Sequence, residues 1–248
     1  MNPQVNTQSL NSDFDMLKIY ADATVNVTTS ASSDPDFAYP TDPAGLFPQQ
    51  GVITINHNLN SVPMVRAFID PGKNGLWYAS AASIGVVTID PTLLSMISSS
   101  SVKLCVNASA AQSNIPVFYR IYYPGDYGAD SDTRVDKIFS KGSTNFVVGS
   151  APASNSSVQS VSTVPHNLGE AICFTMQFSA DGKNWYNDGS FIYGPPDTST
   201  GPPGGPYSFY YYMRAYASSD NSNFYLRAEH NYPSNVQFYF RWALDLRT

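Results

Sequence analysis

Apolar and polar residues alternate along much of this chain. In "PMVRAFID" the apolar set is Val65, Ala67 and Ile69, and in "ICFTMQFS" it is Phe174, Met176 and Phe178. Leu104 with Val106, Leu226 with Ala228, Tyr119 with Ile121, and Phe240 with Trp242 continue the pattern. A period of two sends successive side chains to opposite faces, so each run predicts a strand with one face on a core. Gly, Pro, Asn and Asp punctuate the runs roughly every eight to twelve residues, the spacing of a sandwich or barrel. Good helix formers are scarce, and an all-β protein is the expectation.

The pattern is written twice. "LKIYADATVNVTTSAS" from Leu17 matches "DKIFSKGSTNFVVGSA" from Asp136, which sets Lys18 level with Lys137 and Asn26 with Asn145. "HNLN" from His57 matches "HNLG" from His166, and Trp77, Leu104 and Arg120 match Trp185, Leu226 and Arg241. Self-similarity of this kind predicts two tandem, internally duplicated β-sandwich or jelly-roll-like domains, 17–130 and 131–248, after an N-terminal arm, 1–16. The boundary falls in the polar stretch "PGDYGADSDT".

His-Asn-Leu reads as a turn. Asn60 and Gly169 hold the same place in the two copies, and both residue types tolerate positive φ. We therefore assign His57, Asn58, Asn60, His166, Asn167 and Gly169 to a structural turn, held by hydrogen bonds from His57 and His166 to nearby backbone groups. The chain has three histidines, none spaced as a ligand pair, so a metal or proton-relay role lacks partners.

Function is sought where the copies differ. Trp77 and Leu104 are 27 positions apart, but Trp185 and Leu226 are 41 apart, and "GPPDTSTGPPGGP" (194–206) nearly accounts for the surplus. The run "YSFYYYMRAY" follows. Tyr207, Tyr210, Tyr212 and Tyr216 are assigned to one face, and Phe209, Tyr211, Met213 and Ala215 to the other. One face fills the core; the other presents tyrosine to solvent or a partner. The first copy has its own insertion, "SDPDFAYPTDPAGLFPQQG", with Phe37, Tyr39, Leu46 and Phe47. Apolar residues on such a loop either pack back on the parent domain or bury against a neighbouring subunit. Phe37, Tyr39, Leu46 and Phe47, with Tyr207, Tyr210, Tyr212 and Tyr216, are the partner-binding candidates.

Composition narrows the chemistry. Charged residues are 13% of the chain, with two Glu against 17 Asp, a net charge of −6 and a pI near 4.8. Without a Lys/Arg cluster, no nucleic-acid surface is expected. No apolar run is long enough for a membrane span, and the first residues do not read as a secretory signal. Cys105 and Cys173 make neither a disulfide framework nor a zinc site and read as buried or half-buried thiols. Hydrolase, zincin, P-loop and dinucleotide motifs are absent. Asp70, Asp90, Asp126, Asp130, Asp181 and Asp220 sit beside Gly, Pro or Ser, where Asp serves turns. No enzyme activity, cofactor or metal is expected, and a hydrolase is the weakest reading.

The order His-Asn-Leu-Gly, β-strand, Asp-Gly turn and Trp resembles short β-sandwich modules in virion proteins of tailed bacteriophages. Tail-tip, fibre-associated and capsid decoration proteins are among them. The matching residues are His57 to Asn60 and His166 to Gly169, then Gly72-Lys73-Asn74 with Trp77 and Gly182-Lys183-Asn184 with Trp185. Asn60 departs from the usual Gly. The resemblance implies a non-enzymatic virion structural protein, assembled in the bacterial host cytoplasm. It would act through contacts with other virion proteins, as a homo-oligomer or in lattice contacts, in capsid decoration, cementing or another assembly role. "FSADGKNWY" is also similar to the Ser-x-Asp-Gly-x-x-Trp stretch of discoidin-like carbohydrate-binding domains. That similarity implies the alternative: a tail-tip or fibre adhesin, or a carbohydrate-binding module, that attaches to a host-surface glycan through Trp185, Tyr186 and the Tyr207 to Tyr216 face.

Overall fold

The computed structural model describes residues 15–31, 34, 37, 49–79, 90–124, 135–152, 156–167, 169, 173–187, 191–197 and 209–245. These residues form strands and no helix. The N-terminal half holds β1 (Asp15–Val27), β2 (Gln49–Asn56), β3 (Met64–Ile69), β4 (Tyr78–Ala79), β5 (Thr92–Ile97), β6 (Ser101–Ala108) and β7 (Ile115–Tyr122). The C-terminal half holds β8 (Val135–Val148), β9 (Val158–Pro165), β10 (Phe174–Ser179), β11 (Trp185–Asn187), β12 (Phe191–Asp197), β13 (Phe209–Ser219), β14 (Asn223–His230) and β15 (Val236–Asp245).

All pairings between these strands are antiparallel, and their order is the same in the two halves. In one layer β4-β3-β7-β1 matches β11-β10-β15-β8; in the other β5-β6-β2 matches β13-β14-β9. Each half closes its two layers over an apolar core. Val65, Ala67, Ile69, Val117 and Ile121 of one layer meet Leu93, Ile97, Leu104 and Val106 of the other. In the C-terminal half Met176, Phe178, Phe238, Phe240 and Trp242 meet Ala215, Phe224, Leu226 and Ala228. The alternating residues of the sequence are thus the inward-facing ones, as two packed sheets require.

Two seams join the halves into one eleven-stranded sheet of order β2-β6-β5-β11-β10-β15-β8-β1-β7-β3-β4. At the first, β1 pairs with β8. Leu17 lies opposite Asp136, the residue level with it in the sequence comparison, flanked by Met16 with Lys137 and Lys18 with Val135. Leu17, Ile19, Tyr122, Ile138 and Ala243 bury a small core there. Asp15 and Met16, expected in the arm, are therefore the start of β1. At the second seam Trp185 and Tyr186 of β11 pair with Ile97 and Met96 of β5. The second seam has no mirror image, because the place beside β13 belongs to β12. β4 is left as one end of the large sheet.

The His-Asn-Leu turns have the expected backbone. Asn60 has φ 54°, Asn167 has φ 54° and Gly169 has φ 76°. The His57 amide donates to the Ser100 carbonyl at 2.9 Å and the His166 amide to Ser222 at 2.8 Å, which ties each turn to the neighbouring hairpin. His57 Nδ1 faces the Leu59 amide at 3.5 Å. Part of the Pro/Gly insertion is strand and not loop: Gly194 to Asp197 belong to β12, an edge strand, with a register shift between Tyr193 and Pro196. Proline is tolerated at such an edge because one side of the strand needs no donor.

Candidate functional site

Two outward faces stand apart from the rest of the surface. The first is the outer face of β13, β14 and β9. Met213, Ala215 and Ala217 point to the core, so Tyr212, Arg214, Tyr216 and Ser218 point away from it. On β14 the same rule turns Tyr225, Arg227 and Glu229 outward. The rungs are Arg214 opposite Glu229, Tyr216 opposite Arg227, and Ser218 opposite Tyr225.

These side chains knit together. Glu229 accepts from the Tyr212 hydroxyl at 2.7 Å and from Arg214 Nη2 at 2.6 Å. Burial pushes the Glu229 carboxyl up, but the bonds from Tyr212 and Arg214 outweigh it and hold the group below its ordinary value. Burial and the bond to Glu229 push the Tyr212 phenol up. Arg227 lies over the rings of Tyr216 and Tyr225, 5.9 and 5.3 Å from their centroids, and donates to Ser218 Oγ at 2.5 Å. The Arg214 guanidinium covers Tyr216 at 5.4 Å. Tyr225 donates to Asp220 at 2.6 Å; this bond lowers the carboxyl and raises the phenol. The result is a connected layer of rings and guanidinium groups, each held by a neighbour on the same face. Tyr and Arg are the residue types that dominate contact energies at interfaces.

The second face is at β4. Leu76, Trp77 and Tyr78 are 59%, 42% and 39% exposed, which is high for three consecutive large apolar residues. The Trp77 ring meets Phe118 edge-on at 6.4 Å, and Phe118 lies 6.2 Å from Phe68. Arg120 sits over Phe118 at 5.5 Å and pairs with Asp22 at 3.3 Å. This ridge was not among the sequence candidates. Its signal was Trp77 itself, but its match with Trp185 hid the difference in environment. Trp185 packs on the N-terminal core and lies under the Arg241 guanidinium at 4.5 Å, because β11 is clasped by β5. Trp77 sits beside the end of the sheet.

The sequence candidates divide as follows. Tyr212 and Tyr216 lie together on the outer face. Tyr210 lies in β13 opposite Pro196. Tyr39, Leu46, Phe47 and Tyr207 fall outside the described residues. Phe37 is 8% exposed and packs on Leu94 and Cys105 of its own half. It is therefore a core-covering side chain and not a docking one. Trp185 and Tyr186 are half-buried; Tyr186 packs on the C-terminal core, 5.8 Å from Phe178. Both rings of the expected glycan site are thus partly covered where β11 pairs with β5. Cys105 is buried, and burial with the Asp34 charge pushes its thiol up to about 12. Cys173, expected to be buried or half-buried, is exposed.

His57 and His166 are buried in their turns, apart from both faces. Asp70 accepts from the Asn74 and Gly75 amides, and Asp181 from the Lys183 and Asn184 amides, so these carboxylates serve turns. Among the described residues no group of three His, Cys, Asp or Glu is placed to hold a metal ion. Among the described residues no helix is long and apolar enough to cross a membrane. No known family, curated protein or solved structure matches the chain.

Proposed function

We propose that this protein is a virion structural component that works by protein–protein contact, in capsid decoration, cementing or another assembly role. The observation that supports contact as its mode of action is the Leu76-Trp77-Tyr78 ridge. An apolar ridge backed by packed rings and rimmed by an Arg–Asp pair has the composition of an interface centre with a polar border. The virion part of the reading rests on the His-Asn-Leu-Gly resemblance. Immunogold labelling of purified particles from the source of this gene tests it. Label over the head is expected for decoration. Label at the tail alone would support the adhesin reading, and bare particles would contradict both.

A second reading, recognition of a host-surface glycan, is favoured by the tyrosine layer on β13 and β14, since rings stack on sugar faces. A glycan array with Tyr216→Ala as control tests it. An array on which the wild type retains no sugar would remove it.

A further inference from the structure

Two faces of this fold stand at equivalent places, and one of them is already occupied. On the outer side of β2, β6 and β5, Gln50 lies opposite Asn107, Val52 opposite Cys105, and Cys105 opposite Leu94. On the outer side of β9, β14 and β13, Gln159 lies opposite Glu229, Val161 opposite Arg227, and Arg227 opposite Tyr216. A glutamine and a valine hold the same grid positions in both halves.

On the first grid lies the chain's own Asp34–Phe37 turn, closed by the Phe37 amide on the Asp34 carbonyl at 3.0 Å. Gln50 grips its backbone twice. Nε2 donates to the Phe37 carbonyl at 3.1 Å, and Oε1 accepts from the Asp34 amide at 3.0 Å. Lys103 holds the Asp34 carboxylate at 3.4 Å. The Phe37 side chain rests among Leu94, Cys105 and Val52. This face of the fold is thus shaped to take a short acidic turn of peptide.

On the second grid the cation stands one rung along the strand. Tyr225 has the place of Lys103, Arg227 that of Cys105, and Tyr216 that of Leu94. Gln159 is exposed, with its Oε1 held by the Tyr216 hydroxyl at 3.3 Å, and Val161 is 47% exposed. Among the described residues no carboxylate pairs with Arg227. We propose that this face is a docking seat for a short acidic peptide segment of a partner chain. Gln159 holds the segment's backbone, Arg227 takes its carboxylate, and Tyr216 and Tyr225 flank it. Charge-assisted bonds to a guanidinium fixed between two rings give such a contact both strength and direction.

The inference deepens the reading of the protein as one that acts by protein contact. It concerns a different surface from the β4 ridge, so its failure would leave that reading standing. The probe is a labelled synthetic peptide, ASSDPDFAYP, the sequence of residues 31–40, titrated with the full chain and followed by fluorescence anisotropy. Saturable binding below ~1 mM is expected. Arg227→Gln and the exposed Gln159→Ala should each weaken it by ~10-fold or more. Binding should fade in ~0.5 M salt, and Trp77→Ala should leave it unchanged. Thermal unfolding of each variant establishes that it folds. Failure to saturate, wild-type affinity in the two seat variants, or preferential binding of acidic oligogalacturonate at this face would overturn the proposal.

Discussion

Glu229 shares its carboxylate between the Tyr212 hydroxyl and the Arg214 guanidinium, with only 9% of its side chain exposed. Glu229→Ala would remove the acceptor that half-buried Tyr212 and Arg214 share, and should lower stability by about 2 kcal/mol in urea unfolding. The same group shapes the response to acid. Its folded pKa lies below the ordinary 4.5, as Asp181 lies below 3.8, so each contributes stability that is present above those values and lost as pH falls below them. His57 and His230 act at higher pH. Burial holds both below the ordinary 6.5, so the unfolded chain binds protons first and stability declines as pH drops through that value. His230 is fully buried, with Nδ1 accepting from the Tyr232 amide at 3.0 Å and Nε2 facing the Val148 carbonyl at 3.3 Å. Urea midpoints measured from pH 8 to pH 3 should therefore fall in two stages. A midpoint that rises on acidification would contradict this assignment.

Close approach of elements sets a second group of expectations. A Cβ on Gly51 would come 2.5 Å from the Thr28 carbonyl oxygen, and one on Gly142 would come 2.5 Å from Trp242 Cζ2. One at Gly149 would meet nothing within 4 Å. Gly51→Ala and Gly142→Ala should each cost about 1–3 kcal/mol, while Gly149→Ala stays near neutral in thermal unfolding. These elements were legible in different degrees. Period-two alternation in β3, β6, β10 and β14 was readable, because one face of each meets a core. The positive φ at Asn60 and Gly169 was readable from their residue types. β12 was not, because Gly194, Pro195 and Pro196 argue for a loop, and only an open sheet edge lets them pair. The fate of Phe37 was not readable either: the sequence allowed it to pack home or to face a neighbour, and the backbone grip of Gln50 decides for home. Tyr212 and Tyr216 share the face opposite Met213, Ala215 and Ala217, which their spacing makes readable. Arg227, Tyr225 and Glu229, which complete that face, escaped notice because they lie on the next strand.

Over the whole molecule, two halves of matching strand order are locked by unlike seams, and that asymmetry creates the candidate surfaces. Trp185 and Trp77 share one motif, yet the second seam half-buries the first and leaves the second exposed. Arg241 fastens the seam. It donates to the Val62 carbonyl at 2.6 Å, to the Pro63 carbonyl, and to Gln177 Oε1 at 2.8 Å. Burial pushes the guanidinium down to about 9, so it stays charged at neutral pH among neutral acceptors. Arg241→Ala would leave several acceptors in the seam without a donor and should cost about 3 kcal/mol, read from chemical denaturation. The central claim is that function resides in outward sheet faces. Hydroxyl-radical footprinting, comparing the free chain with the chain mixed with the virion particles of the proposed function, tests it most directly. The account predicts that Trp77 and Tyr78, or Tyr216 and Tyr225, lose labelling on the particle while Trp185 is unchanged. Labelling identical in both states, or protection confined to other parts of the surface, would contradict it.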